Sequence, residues 1–225
     1  PLNLRLHGPV DFRVLQRSLN EIIRRHEILR TVVQEIDGEP VQVLLSKKEL
    51  DLPIVDLRST PPLLREQVSK ARSAEDTQRP FAFDREPPFR ALLLFLDERE
   101  HVLVLTIHHM AYDGRSADII VQELRALYSS FVRGEPSPLP EPIYQFVDFA
   151  AWQRSTMQGE VLLKQLSYWK QQLAGMLPTE LIPDFDRTHS GSSRGAHVTF
   201  SCGQRLTSNI EQLSRRHNAS MYMAL

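Results

Sequence analysis

Two apolar runs in mid-chain, residues 89–96 and 101–107, leave this sequence the fewest choices of fold. They are separated only by Asp97-Glu98-Arg99-Glu100. The first is rich in leucine and the second in valine and leucine, and both are far short of the roughly 20 apolar residues a membrane helix needs. A run this short, apolar at consecutive positions rather than alternate ones, reads as a strand buried on both faces. Two such runs joined by a short charged segment read as an antiparallel hairpin. A hairpin apolar on both sides must be covered on both sides, and the covering layers have to come from the rest of the chain.

Helical periodicity supplies those layers. Residues 4–7 read as the end of a strand, broken by Gly8-Pro9. Asp11 is placed to cap a helix whose apolar stripe runs Leu15, Leu19, Ile22 and His26. Residues 31–36 and 41–45 flank Asp37-Gly38, a pair favoured in tight hairpin turns. Pro61-Pro62 opens a second helix, with Leu64, Val68 and Ala71 expected inward. After the central hairpin a helix beginning at Arg115 or Ser116 carries Ile120, Leu124, Leu127 and Phe131 on one face and stops near Gly134. A proline-rich connector over 136–142 leads to helical segments near 144–157 and 160–174. Residues 177–193, rich in Ser, Gly, Pro and Asp, read as loose chain. Beyond them, 196–201 alternates like a strand and 206–217 reads as a helix. The fold class expected is α+β, a mixed sheet with helices.

With 225 residues, 41% hydrophobic, 24% charged and a formal net charge of −1, the chain has the composition of a folded domain with no global basic field. Nucleic acid and membrane surfaces are therefore not expected partners. Cys202 is the single cysteine, so no intramolecular disulfide can form, and a reducing, cytoplasmic setting fits.

The strand ending at residue 107 runs directly into His108-His109-Met110-Ala111-Tyr112-Asp113-Gly114. Neighbouring residues at a strand end point to opposite faces, so His108 and His109 are not expected to converge on one metal, and zinc wants three or four converging ligands. A general base needs only one imidazole, held where water is partly excluded. Asp113 can orient the loop by accepting hydrogen bonds or pairing with an arginine, and Gly114 permits a positive φ or a close backbone approach. The plain alternative is a structural histidine followed by an ordinary turn. A second cluster, Arg24-Arg25-His26-Glu27-Ile28-Leu29-Arg30-Thr31, closes the first helix. Arg25 and Arg30 there can meet a carboxylate elsewhere or simply complement the helix dipole in solvent.

Taken together these segments resemble the condensation domains of non-ribosomal peptide synthetases. Residues 25–31 are similar to the family's RHExLRT motif, residues 108–114 match its HHxxxDG motif at every fixed position, and residues 145–153 resemble its Y-x-D-F/Y-A-x-W-Q segment with Phe146 in place of tyrosine. The resemblance implies a chloramphenicol-acetyltransferase-like lobe, one half of a two-lobed domain with its active site in a tunnel between the lobes. Residues 1–176 would be the N-terminal lobe without its first segment, 177–194 the inter-lobe linker and 195–225 the beginning of the C-terminal lobe, most of which would follow Leu225.

The activity implied is amide formation between a carrier-bound aminoacyl or peptidyl thioester and a carrier-bound aminoacyl thioester. The implied partners are upstream and downstream peptidyl carrier proteins and an adjacent adenylation domain. No cofactor would be bound by the domain itself, the 4'-phosphopantetheine belonging to the carriers. His109 corresponds to the family's base or amine-positioning residue, with His108, Asp113, Gly114, Arg25 and Arg30 in support, and Asp113 pairing with Arg25 or Arg30. Arg115 stands where the family often has tryptophan. The rival readings are an epimerisation domain, another carrier-dependent acyltransferase, or a non-catalytic docking domain. The RHEILRT sequence favours condensation over epimerisation, and the retained His109 favours catalysis over docking. A heterocyclisation domain would replace the two histidines.

Overall fold

The computed structural model describes residues 1–46, 49–177, 182 and 198–225. They fall into two compact units, Pro1–Gln171 and Gln172–Leu225.

The first unit is built on a four-stranded mixed sheet in the order β1-β6-β5-β4. Its centre is the hairpin expected from the apolar runs, β5 (Phe89–Asp97) and β6 (Glu100–Ile107), paired antiparallel from Phe89↔Ile107 to Asp97↔Glu100. β1 (Leu2–His7) adds antiparallel to β6, and the short β4 (Ile54–Asp56) adds parallel to β5. Alternate residues of the hairpin enter two separate cores. Ala91, Leu93, Leu103 and Leu105 face one cluster, and Leu92, Leu94, Leu96 and Val104 the other.

The larger core is closed by α1 (Phe12–Arg25) and α3 (Gly114–Val132). Asp11 caps α1, its carboxylate accepting from the amides of Arg13 and Val14. The stripe Leu15, Leu19 and Ile22 is buried against Ile120, Leu124, Leu127 and Phe131 of α3. The Tyr128 hydroxyl accepts from the Asp11 amide at 2.9 Å, which ties the start of α1 to α3. His26, expected as the next residue of the stripe, instead caps the C-terminus of α1. A short 3-10 turn, Glu27–Arg30, then leads into the hairpin β2 (Thr31–Ile36) and β3 (Glu39–Leu44). Asp37 and Gly38 turn that hairpin with φ of 54° and 82°, the left-handed pair that matches strand twist.

The second helix, α2 (Pro62–Gln78), lies over the smaller core but does not turn the face expected. Leu64 and Ala71 are exposed, while Ser69 and Ser73 are buried and Val68 meets the core. This inward face is polar because the sheet offers partners: the Ser73 hydroxyl donates to Asn3 Oδ1 at 3.0 Å, and the Thr106 hydroxyl to Asp76 Oδ2 at 2.5 Å. Buried hydroxyls satisfied in this way carry little penalty. α4 (Phe146–Thr156) and α5 (Gly159–Gln172) complete the unit, with Phe149, Trp152, Tyr168 and Trp169 exposed.

In the second unit the described residues form α6 (Gln204–Arg216) and α7 (Met221–Ala224). Of the strand expected over 196–201, residues 196–197 lie outside the described residues and 198–201 have no regular structure. No strand is described in that unit for them to pair with, and an unpaired strand leaves its backbone groups unsatisfied. The linker expected over 177–194 lies outside the described residues except at Leu177 and Ile182.

Candidate active site

The loop between β6 and α3 begins where the ladder ends. The His108 amide donates to the Pro88 carbonyl at 2.9 Å, and the Ala111 amide closes a turn onto the His108 carbonyl at 2.9 Å. The His108 imidazole lies edge-on to Phe83, with centroids 4.5 Å apart, and its Nδ1 accepts from the Met110 amide at 3.2 Å. His109 differs in its surroundings. Both histidines are exposed, but the His109 ring stands 6.1 Å from the Tyr112 ring and makes no hydrogen bond with a described residue. Burial raises the Tyr112 phenol above its ordinary range, with the nearby Asp113 and Asp118 charges acting in the same direction.

Asp113 is the N-cap of α3. Its Oδ1 accepts from the Ser116 amide at 2.8 Å and the Ser116 hydroxyl at 2.6 Å, and Ser116 Oγ accepts from the Asp113 amide at 3.3 Å. The hydrogen bonds from Ser116 hold this carboxyl below the usual range for aspartate. Gly114 is the first residue of α3, without a positive φ, and a β-carbon there would meet nothing within 4 Å. Neither the positive φ nor the close approach expected of Gly114 is present.

The expected ion pair between Asp113 and an arginine of residues 25–30 is likewise not formed. Asp113 is exposed and already engaged as a cap, and both arginines have other partners. Arg25, only 5% exposed at its side chain, reaches Glu123 on α3 through Nη2–Oε1 at 3.1 Å and Nε–Oε2 at 3.3 Å. Its Nη1 donates to the Pro140 carbonyl at 2.8 Å. His26 Nε2 lies 2.9 Å from the same carboxylate. Burial alone would raise Glu123, but the hydrogen bonds and charge of His26 and Arg25 outweigh it and hold the carboxyl below its ordinary value. Arg30 bonds the Leu45 carbonyl and Glu27, leaving a buried Nε unpartnered.

Gln145 joins the same cluster. Its amide donates to the Arg25 carbonyl at 2.8 Å and accepts from the Glu27 amide at 3.1 Å. Its backbone N–H donates to Asp148 in the first turn of α4. The end of α1 is thus where α3 and the start of α4 are tied together.

Glu123 and Gln145 were not singled out by sequence reasoning. Glu123 had a readable signal: it falls on the Ile120, Leu124, Leu127 face, where a carboxylate needs a cationic partner. Gln145 had no signal beyond its place at the head of a motif.

The condensation-domain family matches residues 1–225, the entire chain. This chain belongs to the condensation-domain family. It is 39% identical to chondramide synthase of Chondromyces crocatus over 225 residues, covering all of this chain and 6% of that synthase. Among solved structures, it resembles the X-domain from teicoplanin biosynthesis in complex with OxyB, with a TM-score of 0.81 and 28% identity over 98% of this chain and 48% of that one. The starter condensation domain of rhizomide synthetase shares the fold at 18% identity, with a TM-score of 0.70 over 78% of this chain and 42% of that one. The fold is therefore the chloramphenicol-acetyltransferase-like α+β lobe expected. Condensation domains are in general acyltransferases that form peptide bonds from phosphopantetheine-tethered substrates on partner carrier domains. The chain spans about half the length of these solved neighbours and a few per cent of the synthase it matches.

Proposed function

We propose that this chain carries the catalytic loop of an amide-forming condensation domain, with His109 as its catalytic residue. In this reading the acceptor's amino nitrogen attacks the donor thioester carbon, the C–N bond forms as the C–S bond breaks, and the donor's thiol leaves with a proton. His109 takes the proton from the attacking amine or holds that amine against the thioester. The supporting observation is the contrast within the loop. All three are exposed, but His108 is held by Phe83 and Met110 and Asp113 by Ser116, while the His109 imidazole has its nitrogens free of described partners. Arg25 supports the loop from a distance by tying α1 to α3 through Glu123, and Arg30 braces the turn after α1 through Glu27 and the Leu45 carbonyl.

Residues 1–176 then act as one lobe of a larger domain, with upstream and downstream carriers as partners. Because positioning two tethered substrates takes both walls of a tunnel, residues 1–225 alone should not turn over. In the synthetase that carries this chain, His109→Ala should lower product formation with two loaded carriers by about 10² to 10⁴. Near-wild-type condensation would overturn the assignment. The resemblance to an X-domain bound to OxyB favours one second reading, a docking module. In that case His109→Ala would leave function intact, and substitutions on the binding face would abolish it.

A further inference from the structure

The segment between α2 and β5 forms a wall behind the loop. The Arg90 guanidinium donates to three carbonyls where α2 ends: Asp76 at 2.9 Å, Arg79 at 2.6 Å and Pro80 at 3.1 Å. Carbonyls at a helix C-terminus favour a cation, and a guanidinium held at several of its donors has its plane fixed as well as its charge. That plane lies over the Phe81 ring, 3.8 Å from the centroid. Phe81 stacks on Phe83 at 6.2 Å with 21° between the ring planes, and both rings present themselves to the edge of His108, at 6.1 Å and 4.5 Å. The Phe83 carbonyl accepts from the Val33 amide at 2.8 Å, which anchors the stack to β2 as well.

We propose that Arg90, Phe81 and Phe83 are positioning residues for His109, acting through His108. A proposal of this kind rests on the catalytic reading of His109. His108 Nδ1 can accept from the Met110 amide only as a lone pair, which selects the neutral tautomer protonated at Nε2. The hydrogen bond also demands one ring orientation. Edge contacts with the stacked Phe81 and Phe83 rings supply that orientation without competing for either nitrogen, which a hydrogen-bonding neighbour would do. His109 lies between the two ends of this clamp, the His108 ring and the Met110 amide, so its backbone is set by them. If the ring turns, the Met110 amide is released and the His109 imidazole leaves its position.

The test uses the synthetase carrying this chain, with both carriers loaded and histidines labelled with nitrogen-15. Phe83→Leu keeps an apolar filler but removes the ring, and should lower kcat by about 100-fold with acceptor KM changed less than about 3-fold, the signature of displacement rather than lost binding. Phe83→Tyr should restore turnover to within about 3-fold of wild type, since the ring is what matters. Arg90→Lys keeps charge without a plane and should cost roughly 10-fold. The His108 signal should report one Nε2–H tautomer in wild type and Phe83→Tyr, and a mixture in Phe83→Leu.

Wild-type turnover in Phe83→Leu, or Phe83→Tyr as slow as Phe83→Leu, would overturn the inference. Should Phe83→Leu fail to fold, Arg90→Lys decides in its place: full turnover with an unchanged tautomer rejects the stack. Failure of the catalytic reading shows separately, as full activity in His109→Ala.

Discussion

Two polar regions of the first unit are organised in opposite ways. At the end of α1, Arg25 and Glu123 are nearly withdrawn from water, with side-chain exposures of 5% and 13%, and every contact is shared with another element. At the head of α3, His109 and Asp113 are exposed, and the Asp113 hydrogen bonds stay within its own turn. Taking two charges out of water is costly, and close geometry is what offsets it, so the first region has little freedom to move. Solvent satisfies the second region already, so its groups can be given over to a partner molecule without a folding penalty. The more conspicuous motif is the open one, and the cluster that reads as ordinary helix-end charge holds the elements together.

The largest effect should come from breaking the buried cluster. Glu123→Ala leaves the Arg25 guanidinium without its carboxylate and should cost about 3–5 kcal/mol in denaturant unfolding. Replacing both Arg25 and Glu123 by leucine should recover most of that loss. A pH dependence accompanies it. The Glu123 carboxyl sits below its unfolded value of about 4.3, so its contribution is fully present above that pH and is lost as pH falls through the lowered folded value. Unfolding curves of Glu123→Gln against wild type should therefore converge in acid. If Glu123→Ala proves as stable as wild type, the contrast between the two regions fails.

The central hairpin was legible in the sequence because nothing else accommodates two short apolar runs, and the cap at Asp11 and the Asp37-Gly38 turn follow from local chemistry alone, whereas the three-residue β4 left no pattern to read. The face of α2 was not. Ser69 and Ser73 face inward because Asn3 and the rest of the sheet happen to lie opposite, a tertiary fact with no local trace. At the candidate site, the different contacts of His108 and His109 come from the turn that opens after β6 ends at Ile107, not from the strand alternation expected. The partner of Arg25 does not, since a resemblance between motifs names residue types and leaves open which carboxylate, Asp113 or Glu123, the chain brings near. The stack behind His108 was likewise hidden, because Phe81, Phe83 and Arg90 meet only once α2 has ended and β5 begun.

A smaller effect separates capping from ion pairing at Asp113. Asp113→Ala should destabilise by about 1 kcal/mol, the usual cost of a lost N-cap. Asp113→Asn should lose only a few tenths of that, because its amide oxygen can still accept from the Ser116 amide. Were a hidden arginine pairing the source of stability, Asn would fall as far as Ala. Thermal melts of the two variants decide between these outcomes.

The smallest effect should be at Gly114, where it sharpens what the open region is open for. Glycine at a helix start is usually explained by a left-handed backbone or by a neighbour too close for a side chain, and neither holds here. Alanine can adopt the same backbone without strain, and it restricts the unfolded chain, so Gly114→Ala should be neutral or stabilising by about 0.4–1 kcal/mol. Denaturant melts of the variant provide the measurement, and a clear loss of stability would show that this lobe needs the glycine for its own packing. If stability is kept while condensation falls, the added methyl is obstructing something that approaches the loop during turnover. The space beside His109 would then belong to the substrates or to a facing wall, which is the use expected where Asp113 bonds only within its own turn and His109 makes no described hydrogen bond.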